Sequence, residues 1–196
     1  MVGVEPHVLR YWEEELELPA GQFALFMNSM YAVDAYVRDY FRKAELDALL
    51  AEKLPVTVFG EGWEKYSCGD EHSLRREPAV PFALSFERIA KAHVLLNVSP
   101  IFNRGMHDRV PAGMANHAVV LTDENPYLRR TFTDGKELLF YSLEKPDTLC
   151  EQAERTLTDV RLREKIAASA YETFEREYTW KRRAEQILAF AEEVEA

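Results

Sequence analysis

The chain has 196 residues, and its 24 lysines and arginines against 34 aspartates and glutamates give a formal net charge of −10. This acidic balance excludes a protein that binds nucleic acid or anionic membranes through its overall charge. Hydrophobic residues make up 47% and aromatic residues 12% of the chain, so an intrinsically disordered segment is excluded as well. A chain of this length buries roughly 70% of its unfolded surface and needs no disulfide or metal to hold a core.

Two stretches at the N-terminus are predicted to be helical. Residues 1–20 are amphipathic and acidic and end near Pro19, as expected of an exposed helix or one that packs on a partner. In residues 21–53, apolar side chains such as Phe41, Leu46 and Leu49 recur at spacings of three or four. We expect residues 1–53 to form a helical N-terminal extension.

Four short apolar runs follow, at residues 56–59, 94–98, 118–122 and 138–141. Each run is continuous rather than alternating, which is typical of a strand buried on both faces. The pattern predicts helices over 85–92, 108–116, 126–132 and 147–157, and an exposed loop with at most one weak strand over 67–80. Strands alternating with helices indicate right-handed crossovers and a Rossmann-like parallel sheet, an α/β domain over 54–158.

The tail, residues 159–196, is predicted to be helical and to be broken near Tyr178-Thr179-Trp180. No apolar run approaches the roughly 18 residues that span a bilayer, and the N-terminus lacks the basic and apolar segments of a signal peptide. We therefore expect a cytoplasmic protein.

Neither cysteines nor histidines show metal-ligand spacing. Cys68 and Cys150 are too few for a disulfide framework. Four histidines have no carboxylate or cysteine partner at ligand spacing, namely His7, His72, His93 and His117. No metal site is expected.

In an open parallel sheet, ligands bind beyond the carboxyl ends of the strands, so the loops there are the candidate sites. The first is Gly60-Glu61-Gly62-Trp63, whose glycines permit a tight turn and a close approach of backbone to a ligand. The alternative is an ordinary turn with a packed tryptophan. The full glycine fingerprint of dinucleotide-binding loops is absent.

The second loop carries an amide, two arginines and a histidine and leads into a helix. We expect Asp108 to cap that helix, whose free N–H groups would suit an anion. Arg104 and Arg109 each offer a planar fork of donors that matches phosphate oxygens. The alternative is that both arginines pair with the plentiful surface acids.

The third loop follows the strand at 118–122. Asn125 is predicted to cap the next helix with Pro126 at its first position. Capping alone would explain this pair, yet the N–H groups that follow, at Tyr127 and Leu128, again point to where a phosphate would lie.

In this order, the loops resemble the C-terminal half of retaining nucleotide-sugar glycosyltransferases of the two-Rossmann-domain (GT-B) type, within the group-1 family and nearest its spore-maturation-protein-B-like members. The resemblance runs from about Val56 to about Leu188. Gly105-Met106-His107-Asp108-Arg109-Val110 is similar to the family's entry to the donor-site helix, and Asn125-Pro126-Tyr127-Leu128 to its donor loop. Tyr178-Thr179-Trp180-Lys181-Arg182-Arg183 resembles the closing helices.

The resemblance implies that the chain binds a nucleoside diphosphate sugar as substrate, without a cofactor or a divalent metal, and serves an unknown acceptor. Arg109 and Arg104 would neutralise charge on the departing nucleotide. His107 would contact the donor sugar or phosphate, which makes His107 and Arg109 the candidate catalytic residues. The remaining implied donor contacts are Gly60, Glu61, Gly62, Asn103, Arg104, Gly105, Asp108, Asn125, Tyr127 and Leu128.

Two departures from the family pattern leave alternatives open. Many relatives carry a glutamate where Ala112 stands and a glycine where His117 stands, and the family binds its acceptor with an N-terminal Rossmann domain, whereas about 53 residues precede the first strand here. One hypothesis is the donor-binding domain of a glycosyltransferase. The other is a non-catalytic nucleotide-binding or assembly protein on the same half-fold.

Either protein would need cover for its exposed inter-domain face, from the N-terminal helices, from self-association or from a separate N-terminal acceptor domain. A flavodoxin-like or dehydrogenase module is disfavoured because no G-x-G-x-x-G loop follows any strand.

Overall fold

The computed structural model describes residues 6–195, with side chains over 10–194. Positions 1–5 and 196 of the predicted extensions, and the His7 side chain, lie outside the described residues. The chain divides into two compact units, Met1–Tyr40 and Phe41–Ala196. The helices are α1 (Pro6–Glu15), α2 (Phe23–Ala51), α3 (Phe82–Ile89), α4 (Arg109–Ala115), α5 (Pro126–Thr131), α6 (Pro146–Thr158), α7 (Val160–Glu177) and α8 (Trp180–Glu195). The strands are β1 (Val56–Phe59), β2 (Leu74–Glu77), β3 (Val94–Asn97), β4 (Val119–Asp123) and β5 (Leu139–Tyr141).

The first unit holds α1 and the first part of α2, so both predicted N-terminal helices are present. The backbone turns back after α1 through a hydrogen bond from the Leu18 amide to the Glu13 carbonyl (2.8 Å). The Glu13 carboxylate accepts from the Phe23 amide (3.1 Å) at the start of α2. One side chain thus satisfies an amide that the new helix leaves without an internal partner. Within residues 6–195, no helix combines the length and apolar character needed to cross a membrane.

The second unit contains parallel strands flanked by helices, which confirms the predicted α/β class. The prediction of one sheet is wrong: β1 pairs with β2 in one sheet, and β3, β4 and β5 form another in that order. β2 lies within the segment 67–80 that was expected to be mainly loop, and it pairs with β1 in parallel from Val56↔Leu74 to Phe59↔Glu77. Leu74 is its one buried apolar residue, which explains why the sequence signal for this strand is weak.

The core lies on both faces of the three-stranded sheet, and every residue of β4 is buried. Successive side chains of a strand point to opposite faces. Val119 and Leu121 accordingly pack with Leu49 of α2 and with α6 and α7. Val120 packs on the other face with α4, α5 and Phe140. This double burial is the arrangement that the continuous apolar run predicts.

Gly113 of α4 tests how closely that helix packs on the sheet. A Cβ at this position would collide with Val120 Cγ2 and come within 3.0 Å of Leu95 Cδ2. Overpacking of this kind costs about 1–3 kcal/mol, of which alanine's better helix propensity returns about 1 kcal/mol. The collision with Val120 places the cost toward the upper end of that range, so we expect Gly113→Ala to lower the free energy of unfolding in urea by about 1–2 kcal/mol.

Gly69→Ala is the matched control, because no atom lies within 4 Å of a Cβ built at Gly69. If Gly113→Ala is as stable as the wild type, α4 does not pack on β3 and β4 as closely as described.

Candidate functional site

Asn97, at the carboxyl end of β3, joins four elements of the second unit. Its Nδ2 donates to Thr122 Oγ1 of β4 (3.0 Å), and its main-chain oxygen accepts from the Tyr141 hydroxyl of β5 (3.2 Å). Its Oδ1 accepts from Arg109 Nη1 at the start of α4 (3.2 Å) and from Ser99 Oγ (3.2 Å). Asn97 is buried, so these bonds hold the arginine at the edge of the sheet where ligands of such folds bind.

Two buried carboxyl groups lie at the same edge. Asp123 ends β4 and accepts from the Ser99 amide (2.7 Å). Burial raises the pKa of Asp123 to about 6, although this hydrogen bond acts in the opposite direction. Glu45 of α2 is fully buried, and neither of its carboxylate oxygens accepts a hydrogen bond from the described residues. Burial and the Asp123 charge raise the pKa of Glu45 to about 7.

These carboxyl groups affect Tyr141 as well. Burial raises the pKa of the Tyr141 hydroxyl, and the charges of Asp123 and Glu45 raise it further. The hydroxyl therefore stays protonated and donates a hydrogen bond to the Asn97 carbonyl oxygen. Near pH 7, Asp123 is therefore mostly charged and Glu45 is divided between its neutral and charged forms, so this sheet edge carries negative charge.

Arg109 is the cation of the site, and His107 lies beside it. The His107 Nδ1 accepts from the Arg109 amide (3.2 Å) and lies 2.5 Å from Asp108 Oδ1. The two contacts need opposite protonation states of Nδ1. Burial, then Arg109 and Arg42, lower the pKa of His107, while Asp108 raises it. The net lowering favours the neutral ring, in which Nδ1 satisfies one of these two contacts at a time.

The predicted cap of α4 is wrong. The Asp108 side chain makes no hydrogen bond to the helix backbone, because its carboxylate lies against His107. The expected free N–H groups are also absent from the first turn of α4: the Arg109 amide bonds the His107 ring, and the amides of Val110 and Ala112 bond the carbonyls of His107 and Asp108. Pro111 has no N–H. An anion would therefore be bound by the charged side chains of this loop and not by free amides at the start of α4.

Asn125 caps α5 as predicted, its Oδ1 accepting from the Leu128 amide (2.8 Å). Its Nδ2 donates to the carbonyls of Phe102 (2.9 Å) and Gly105 (3.4 Å), which ties the loop after β4 to the loop after β3. Leu128 is buried in the core. In this turn the Tyr127 amide is the one that makes no hydrogen bond to a described residue, so Tyr127 is better placed than Leu128 to meet a ligand.

The other predicted contacts lie on exposed loops. Asn103 and Arg104 are exposed between β3 and α4, and Arg104 forms no ion pair with any described residue. The Gly60–Gly62 turn follows β1, with φ of 123° at Gly60 and 92° at Gly62, a region that favours glycine. No hydrogen bond between described residues joins this turn to the Arg109 loop. Glu61 is exposed, and its role stays a prediction.

Sequence reasoning missed Asn97, Asp123, Tyr141 and Glu45 as members of the site. Asp123 had a usable signal, since it follows a fully apolar strand directly. Glu45 had a weaker one, as an acid four residues from both Phe41 and Leu49 on the apolar stripe of α2. Within the described part of the chain, no group of three His, Cys, Asp or Glu side chains is placed to hold a metal ion.

The model of the glycosyl transferase-like family matches residues 39–189, three quarters of the chain. The chain belongs to the glycosyl transferase-like family. This membership confirms the resemblance to group-1 glycosyltransferases, while the spore-maturation-protein-B-like subgroup stays a prediction. No curated protein matches the chain in sequence.

Solved structures show that the fold of this glycosyl transferase-like chain is shared. HepE from Anabaena, solved in complex with UDP-glucose, matches 71% of this chain and 41% of its own at 11% identity, with a TM-score of 0.60. A glycosyltransferase from Rickettsia africae matches 98% of this chain and 53% of its own at 10% identity, with a TM-score of 0.57. TarM matches 76% of this chain and 31% of its own at 13% identity, with a TM-score of 0.58. The chain thus spans about half or less of the length of these proteins.

Proposed function

We propose that this chain is the donor-binding half of a glycosyltransferase, which transfers a sugar from a nucleoside diphosphate sugar to an acceptor. One observation carries the proposal: the Arg109 guanidinium is fixed by buried Asn97 at the carboxyl edge of the parallel sheet, in a chain of the glycosyl transferase-like family. Crystals of HepE with UDP-glucose make a uridine nucleotide the first donor to test.

The chemistry of transfer fits these residues. As the bond from the sugar to the diphosphate breaks, negative charge grows on the departing nucleotide. A cation that is already positioned lowers the energy of that state without having to reorganise. Arg109 supplies the charge and the fork of donors, exposed Arg104 supplies a second charge, and the neutral His107 ring lies beside Arg109. The Tyr127 amide completes the proposed phosphate contacts.

The division of the chain belongs to the same proposal. Residues 54–158 form the nucleotide-sugar-binding domain, residues 1–53 precede it as a helical extension, and residues 159–196 are helices, of which α7 packs on the sheet of that domain. The acceptor is bound by a separate N-terminal domain, and the protein acts in the cytoplasm. Each of these statements rests on the sequence pattern and on the family.

Ala112 favours a second candidate, a nucleotide-binding protein without catalysis. It stands in α4 three residues after Arg109, where the family resemblance places a glutamate. A site that lacks this carboxylate would bind a donor but not turn it over. The two candidates differ in whether the bound nucleotide sugar is consumed.

Calorimetric titration of the chain with UDP, GDP, dTDP and UDP-glucose tests the proposal. We expect saturable binding of at least one nucleotide at micromolar to millimolar concentration. Release of UDP from UDP-glucose, followed over hours, would rule out the non-catalytic candidate. Absence of binding by every nucleotide at millimolar concentration would refute both.

A further inference from the structure

Phe102 is an exposed aromatic side chain in the loop between β3 and α4, beside the candidate site. It is 46% exposed. The centroid of its ring lies 6.5 Å from that of His107, with the two ring planes inclined by 69°, and the His107 Nδ1 accepts from the Arg109 amide (3.2 Å). The phenyl ring is therefore a near neighbour of the residue proposed to bind the donor phosphates.

Three hydrogen bonds fix the backbone that carries this ring. The Phe102 amide donates to the Ser99 carbonyl (3.0 Å). Asn125 Nδ2 donates to the carbonyls of Phe102 (2.9 Å) and Gly105 (3.4 Å). Because the turn is tied to the strand before it and to the loop after β4, the exposed ring is held at one place, as a preorganised binding surface requires.

Gly105 lets the ring lie directly against the loop. A Cβ built at Gly105 would come within 2.9 Å of Phe102 Cε1 and 3.4 Å of its Cζ, closer than such atoms normally pack. The φ of Gly105 lies outside the left-handed region, so the backbone conformation alone would accept a side chain. The contact with the ring is thus what favours glycine at this position.

We propose that the Phe102 ring stacks on the base of the nucleotide whose phosphates Arg109 binds, an inference that rests on the proposed function. Proteins hold single-stranded nucleic acid with cations for the phosphates and aromatic rings for the bases, and Arg109 with Phe102 offers the same two contacts to one nucleotide. A saturated sugar ring has no π face to present. Because every base has one, Phe102 contributes to the binding of UDP, GDP and dTDP alike.

Calorimetric titration with UDP and with inorganic pyrophosphate tests the proposal, because pyrophosphate carries the two phosphates without a base. Phe102→Ala is expected to weaken UDP binding by about fivefold or more and to leave pyrophosphate binding unchanged, whereas Phe102→Tyr keeps the ring and should bind UDP as the wild type does. Ile101→Ala is the matched control, since it removes the neighbouring apolar side chain, which is 49% exposed, and should leave both affinities unchanged. Circular dichroism shows that each variant is folded.

Gly105→Ala tests the position of the ring. The added methyl group displaces the phenyl ring, whose Cε1 is the far end of a side chain that can rotate, so UDP binding should weaken while stability changes little. In a Phe102→Ala chain the same substitution should have little further effect, because both changes act through one contact.

Three results would overturn the inference and leave the proposed function standing. The first is a Phe102→Ala chain that binds UDP as tightly as the wild type. The second is a loss confined to UDP-glucose, which would place the ring against the sugar. The third is an equal loss for UDP and pyrophosphate, which would mean that Phe102 only positions the phosphate contacts. A wild-type chain that binds no nucleotide would instead refute the proposed function itself, and the inference with it.

Discussion

Arg109→Ala is expected to weaken nucleotide binding by roughly 10- to 100-fold, because a hydrogen bond to a charged group contributes about 1.5–3 kcal/mol. The variant removes the guanidinium that Asn97 fixes at the sheet edge. The fold should persist, since Asn97 Oδ1 still accepts from the Ser99 hydroxyl. Titration of wild type and variant with UDP or UDP-glucose under the same conditions gives the ratio of dissociation constants.

Two further variants separate position from charge. Arg109→Lys keeps the charge but loses the planar fork, so we expect an affinity between those of the wild type and the alanine variant. Arg161→Ala removes one positive charge from the exposed start of α7 and should leave binding unchanged. If Arg109→Ala binds as tightly as the wild type, the nucleotide is held elsewhere and the proposed site is wrong.

Much of the fold was accessible from apolar periodicity alone. The run at 56–59 predicts β1 at its observed bounds, and the run at 118–122 differs from β4 by one residue at each end. The break between α7 and α8 also lies where Tyr178-Thr179-Trp180 indicated. These signals are local, because each depends only on neighbouring residues being buried together.

The division into two sheets was not accessible in the same way. It depends on which strand edges pair, a property of distant segments. β2 also lacks the apolar run of a buried strand, because three of its four residues are charged: Arg75, Arg76 and Glu77. Arg76 holds its place by donating from Nε to the Trp63 carbonyl (3.0 Å) and from Nη2 to the Tyr66 carbonyl (2.8 Å), partners that its sequence neighbourhood does not reveal.

The residues of the site also differ in whether the local sequence predicts them. Arg109 and His107 were found because loops after buried strands face the ligand edge, a rule that needs only the order of elements. The residue type of Asp108 predicts a helix cap, yet its carboxylate lies against the neighbouring imidazole, and Pro111, at the third position of α4, has no N–H to donate to it. Glu45 reaches the sheet edge from a helix that ends before β1, and only the packed chain brings its carboxyl group within electrostatic range of Asp123.

Glu45→Gln is expected to raise the free energy of unfolding by about 2–3 kcal/mol at pH 8 and to change it little near pH 4.5. The pKa of Glu45 is raised from its ordinary value of 4.5 to about 7, so the native state holds its proton more tightly than the unfolded state does. Stability is then highest below pH 4.5 with respect to this group and falls as the pH rises from 4.5 through 7. Glutamine has nearly the same shape and no charge, which removes that dependence.

Urea unfolding of wild type and variant at several pH values between 4.5 and 8 measures this difference. Glu52→Gln is the control, since Glu52 is exposed just after the same helix and should give the wild-type profile. If the pH profiles of Glu45→Gln and the wild type are parallel, the pKa of Glu45 is not raised in the folded chain and the prediction is wrong. Because the Glu45 charge lies at the edge proposed to bind a diphosphate, the same variant should also bind UDP more tightly than the wild type at pH 8, and by less at pH 6, where wild-type Glu45 is mostly protonated.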